Sequence, residues 1–167
     1  EGAVHHLDIL ADLAGAKCET IYMQSWRPSW GEFKGDCNAL VTMTFENGVK
    51  AVYEGAKTNA VTLNWWSHEY FRAECENGTL LLNQRKLEVF PYNPETTIAK
   101  ALEGEGVPIP LLQQKKWANT WLVEKFVRWL DGGERMETNV EDNLQSVAHI
   151  FAAIESARTG QVVRVQE

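Results

Sequence analysis

Apolar and polar positions along the chain follow two periods, and the switches between them mark the elements. Val4, Leu7, Leu10, Ala11 and Ala14 recur at helical spacing, while Glu1, His5, Asp8 and Asp12 occupy another face. Gly15 stands where the pattern stops, which predicts a helix over Ala3–Ala14. From Cys18 to Trp26 the period becomes two, predicting a strand. Asn38 to Phe45 alternates again, and Asn47-Gly48 turns the chain into Val49–Tyr53, a hairpin with a strong turn signal.

The alternation returns over Val61 to Glu74, Glu76-Asn77-Gly78 turns it into Thr79–Leu82, and Leu87–Phe90 supplies another short strand. Pro91, Pro94, Pro108 and Pro110 break the next stretch around a possible short helix at Glu95–Leu102, so this stretch is expected to move or to pack on a partner. Trp121, Leu122, Lys125, Phe126 and Trp129 predict a helix over Trp117–Leu130, stopped by Asp131-Gly132-Gly133. Thr138 or Asn139 caps a second helix, with Asn143, Val147, Ile150, Ile154 and Ala157 on one face, and Gly160 ends it before a strand at Val162–Val165. Successive antiparallel hairpins with helices imply an α+β fold, an open and predominantly antiparallel sheet with helices packed on one face. The free face carries Trp, Tyr and Thr rather than mostly charges, which suits cover by a second copy or a second domain.

A chain of 167 residues suits one domain, 1–167. The net charge of -7 speaks against nucleic acid or an anionic membrane, since either needs a concentrated basic surface. Cys18, Cys37 and Cys75 are odd in number and far apart, so neither a disulfide framework nor a metal site is expected, and a reducing cytoplasm is the simplest setting. There is no apolar run of membrane-spanning length and no signal peptide. The chain opens on Glu1 rather than Met, which points to a piece of something longer.

Candidate chemistry sits in two places. The first helix carries a carboxylate and an imidazole one turn apart near its positive end, an acid–base pair in waiting; the same spacing also describes a solvated face beside a core stripe. The loop Trp26-Arg27-Pro28-Ser29-Trp30-Gly31-Glu32-Phe33-Lys34-Gly35-Asp36 sets three large aromatics among turn formers and charges, a composition suited to stacking on a sugar-like ligand, to a neighbouring subunit, or to capping the local core. No glycine-rich phosphate turn, G-x-S-x-G elbow, P-loop or H-E-x-x-H helix is present.

Taken together, these stretches resemble the C-terminal domain of the glucose-fructose oxidoreductase and inositol dehydrogenase family, Gfo/Idh/MocA. Glu1-Gly-Ala-Val-His5-His6-Leu-Asp8 resembles the family's D-x-G-x-H-x-x-D helix. Asp36 with Asn38 to Gly48 resembles its acidic residue, strand and Asn-Gly hairpin, and Glu69 to Leu82 its second hairpin. Asn139-Val-Glu141-Asp142-Asn143-Leu144, Ala153, Ser156-Ala157, Thr159-Gly160 and Val163 resemble its closing helix and strand, whereas Pro91 to Gln114 has no counterpart. Glu1 replaces the family's usual aspartate and Ala3 a common glycine.

The resemblance implies the substrate and oligomerisation half of an NAD(P)-dependent oxidoreductase of a sugar, cyclitol or related polyol. NAD or NADP would be bound mainly by a Rossmann domain absent from this chain, with no cofactor-binding residue and no metal here. It implies His5 as general acid or base, Glu1 as its assistant and Asp8 as a supporting residue behind them. Trp26, Arg27, Trp30 and Asp36 are the candidates for substrate contact, and the open sheet face for pairing with a copy of the same chain as a dimer or tetramer. The alternatives in the same family are a binding and oligomerisation module inactive by itself and an NAD-dependent glycoside hydrolase.

Overall fold

Two four-stranded antiparallel sheets and three helices make up the computed structural model, which describes residues 2–60, 68–95 and 104–166. In chain order the elements are α1 (Ala3–Ala14), β1 (Cys18–Trp26), β2 (Asn38–Phe45), β3 (Lys50–Ala56), β4 (Tyr70–Cys75), β5 (Gly78–Asn83), β6 (Lys86–Pro91), β7 (Val107–Ile109), α2 (Ala118–Leu130), α3 (Val140–Thr159) and β8 (Val163–Arg164). They fall into two compact units, one made of Glu1–Thr58 with Trp117–Glu167 and the other of Asn59–Lys116. The fold is α+β, as the alternation implies.

In the first unit the strand order is β3-β2-β1-β8, and α1 and α3 pack on one face. Strand alternation sends Val41, Met43 and Phe45 of β2 and Ile21 of β1 into that face, where they meet Leu7 of α1 and Ala152 and Ala153 of α3. All of these side chains are buried, and each large one contributes roughly 1.5–3 kcal/mol of transfer free energy. The opposite face carries Thr20, Tyr22, Gln24, Trp26, Leu40, Thr42, Val52 and Glu54, with Val52 67 % and Leu40 41 % exposed.

Local chemistry sets the ends of α1. Gly15 is left-handed at φ 65° and its N–H donates to the carbonyls of Ala11 and Asp12, as expected of a glycine stop. The turn Glu46–Val49 ties itself to the same end, because Asn47 Nδ2 donates to the Ala14 carbonyl at 2.8 Å. At the other end Gly2 supplies no side-chain cap.

Helix α3 begins at Asn139, whose side chain accepts from Asp142 N at 3.1 Å, and ends at Gly160, left-handed at φ 68°. Its buried face is not the one the apolar spacing suggests. Ser146, His149, Ala152, Ala153 and Ser156 face the core, while Val147 is 46 % and Ile154 54 % exposed. Small side chains let α3 approach β1 closely enough for Ser156 Oγ to accept from Met23 N at 2.9 Å while donating to the Gln161 carbonyl at 2.6 Å. Larger apolar groups at those positions would hold the helix off the sheet.

The second unit orders its strands β4-β5-β6-β7. Of the strand expected over Val61 to Glu74, β4 is the described part; residues 61–67 lie outside the described residues, as do residues 96–103, which hold most of the expected short helix. The stretch expected to be irregular contributes β7, whose Val107–Ile109 pairs with β6 and whose Pro108 sits on the sheet edge, where a missing N–H is tolerated. Strands β5 and β6 are joined by Gln84 (φ 47°) and Arg85 (φ 75°), a two-residue turn with both centres left-handed. Among the described residues, no helix is long and apolar enough to cross a membrane.

Candidate functional site

The geometry of α1 decides where its chemistry points. Ala14 is anchored beside the β2–β3 turn, and four residues earlier than Leu10 the ring of His6 stacks on Tyr53 of β3, with centroids 5.4 Å apart and planes at 22°. Tyr53 pairs with Val41, and Val41 with Met23, so the helix runs antiparallel to β1 and its first turn points to the end of the sheet where Trp26, Asn38 and Ala56 lie. Trp26 is three residues beyond Met23, about 10 Å along the strand. The first turn of α1 and the aromatic loop after β1 thus belong to the same end of the first unit.

His5 is exposed on that first turn. Glu1, its expected assistant, lies outside the described residues. Asp8 turns toward α3: Ser146 Oγ, on a side chain 3 % exposed, donates to Asp8 Oδ1. That bond ties the carboxylate to a neighbouring helix.

The loop is ordered by its own polar groups. Arg27 Nε and Nη2 donate to the Gly31 carbonyl at 3.3 and 3.2 Å, and Gly31 N donates to the Pro28 carbonyl at 2.9 Å. Space at Gly31 is tight, since a Cβ there would lie 3.1 Å from the Pro28 carbonyl oxygen. The Arg27 guanidinium thus helps to shape the loop through Nε and Nη2. Asp36 accepts from Ser25 Oγ at 2.5 Å, which brings its carboxylate back to the end of β1. Trp26 is 40 % and Trp30 72 % exposed, so both indoles offer faces to solvent.

Two residues that spacing did not single out complete the region. Tyr53 reads in the sequence as an ordinary alternating strand position; the His6 ring on top of it is visible only once α1 is folded down. Burial raises its hydroxyl pKa above the ordinary value. His149, fully buried on α3, has neither ring nitrogen hydrogen-bonded among the described residues; burial lowers its pKa, and the Asp8 charge works in the opposite direction.

Among the described residues every strand pairing is antiparallel, and no strand leads through a glycine-rich turn into a helix. No group of three or more His, Cys, Asp or Glu that could hold a metal occurs among the described residues.

A family described as "Oxidoreductase family, C-terminal alpha/beta domain", GFO_IDH_MocA_C, matches residues 1–165. Protein y4oX of Sinorhizobium fredii (strain NBRC 101917 / NGR234) is 52 % identical over all 167 residues, which span 46 % of its length. Among solved structures, an oxidoreductase from Agrobacterium radiobacter in complex with NAD+, L-tartaric acid and magnesium superposes with a TM-score of 0.72 at 24 % identity, over 99 % of this chain and 48 % of that one. The aldose-aldose oxidoreductase of Caulobacter crescentus complexed with glycerol gives 0.74 at 16 %, over 96 % and 45 %. The chain thus spans about half the length of the proteins it matches, and these structural likenesses concern the fold.

Proposed function

Because the chain belongs to the C-terminal alpha/beta domain of the Gfo/Idh/MocA oxidoreductase family, we propose that it is the substrate-side half of an NAD(P)-dependent oxidoreductase acting on a hydroxyl of a sugar, cyclitol or related polyol. The observation that carries this reading is the convergence of the first turn of α1 and the aromatic loop on one end of a sheet. His5 there takes up or returns the proton of the reacting hydroxyl, with Glu1 assisting. Asp8, held by Ser146, keeps the turn in place. Trp30 offers a flat apolar face to a sugar ring, and Asp36 accepts from its hydroxyls, while Arg27 shapes the loop and Trp26 turns to the sheet face away from α1. The hydride acceptor NAD(P) belongs, by this reading, to a Rossmann half within the length that relatives have and this chain does not. The 167 residues alone are then inactive, and the unit 1–167 acts as one substrate and oligomerisation domain.

The test is His5→Ala in the complete oxidoreductase, assayed with NAD+ and NADP+ against D-glucose, D-xylose and myo-inositol. A general acid or base contributes about 10²–10⁴ in rate, so kcat should fall by at least a hundredfold; activity kept within about tenfold overturns the assignment. A second reading, compatible with the first, is that the open sheet face pairs with another copy of the chain; it is favoured by the exposed Leu40 and Val52 on that face.

A further inference from the structure

The ring of Tyr53 lies flat between His6 above it and the backbone of β3 below. Its phenol runs along the strand toward Gly55: a Cβ at Gly55 would sit 2.6 Å from the Tyr53 oxygen, far inside contact distance. Gly55, Ala39 and Ser25 form one cross-strand row, the last on the helix-facing side, with only the row Trp26, Asn38 and Ala56 beyond it. Their small side chains leave the phenol room to reach that end, where Ser25 holds Asp36. The hydroxyl itself makes no hydrogen bond to the described residues, although its ring is half-buried.

A ring needed only to support His6 could be Phe. The hydroxyl is not among the sealed polar atoms left without a partner, so it opens to solvent, where a ligand can meet it, while a glycine inside a strand weakens that strand. Gly55 carries that disadvantage, and what it shares with Tyr53 is room for a donor at the end of the sheet toward which the first turn of α1 points.

We propose that Tyr53 is a substrate-contact residue of that site, its phenolic O–H donating to a polyol hydroxyl other than the one oxidised, with Gly55 kept bare so that the phenol can reach it. This rests on the reading of the site as a polyol oxidoreductase. The hydroxyl stays protonated at neutral pH, since burial moves its pKa upward, so it serves as a donor. It binds ground state and transition state alike and therefore acts on KM rather than kcat.

The experiment compares Tyr53→Phe, Gly55→Ala, the double variant and His5→Ala in the complete oxidoreductase, with D-glucose, D-xylose and myo-inositol as probes. Tyr53→Phe keeps the stack on His6, so melting should be unchanged while KM rises about tenfold and kcat stays within about threefold. Gly55→Ala displaces the phenol and should reproduce that KM, and the double variant should add nothing to it, as expected when both act through one hydroxyl. A KM for Tyr53→Phe within twofold of the parent overturns the inference, even where His5→Ala abolishes turnover. A raised KM with His5→Ala fully active upholds Tyr53 and removes the acid–base assignment instead. Absence of turnover with every probe overturns the proposed reaction and this inference together.

Discussion

His149 shows at the scale of a residue what burial does to a titratable group. Its ring is enclosed between α3 and the core with Asp8 and Ser146 nearby, and burial holds its pKa below the ordinary 6.5, the Asp8 charge offsetting part of that. The unfolded chain therefore binds a proton that the folded one refuses, so stability is lost as pH falls below about 6.5. Urea unfolding at pH 7.5 and 5.5 should show a lower midpoint at the acid pH, and His149→Leu should narrow the gap; an equal gap in the variant would mean that other groups set it. Of the residues singled out from the sequence, His5 and Asp8 lie on the exposed face that helical spacing assigned them. Tyr53 and His149 were not legible, because their significance comes from neighbours far away in the chain: His6 on another element and Asp8 on another helix.

At the scale of the element, α1 was readable because its one large apolar stripe is the face it buries, with Leu7 at the centre. Helix α3 misled because its contact face is made of Ser, Ala and His, which pattern reading treats as neutral, while Val147 and Ile154 advertise a core they do not join. Ala153→Leu should therefore be the damaging change and Phe151→Ser the mild one: overpacking typically takes about 1–3 kcal/mol from stability, against roughly 0.5 kcal/mol for an exposed position. Thermal melting of the two variants decides the matter, and the reverse order would refute the face assignment. The turn at Gln84-Arg85 went unseen for a similar reason, since neither residue type signals a left-handed backbone. Arg85→Gly with Gln84→Asn supplies the residues this turn favours and should raise stability by about 1 kcal/mol, read as an upward shift of the denaturant midpoint.

For the molecule as a whole, the antiparallel plan was legible from alternation and turn residues, but its division into two sheets was not: pairing between distant strands leaves no mark on local periodicity. The first unit presents a sheet face on which Trp26, Leu40 and Val52 are 40, 41 and 67 % exposed. If two copies meet there, Val52→Lys should shift the chain to later elution on a sizing column; identical elution of both proteins removes the pairing. The Ser156 hydroxyl, described above as the contact between α3 and β1, also decides how the chain would yield to a mechanical load. Strand β8 is two residues long and runs antiparallel to β1, so tension on the C-terminus peels it one pair at a time with little resistance. The pull then arrives at Gln161 and, through its carbonyl, at Ser156, which grips Met23 from the other side. One side chain serves as the stop at which an unzipping tail would meet the body of the sheet.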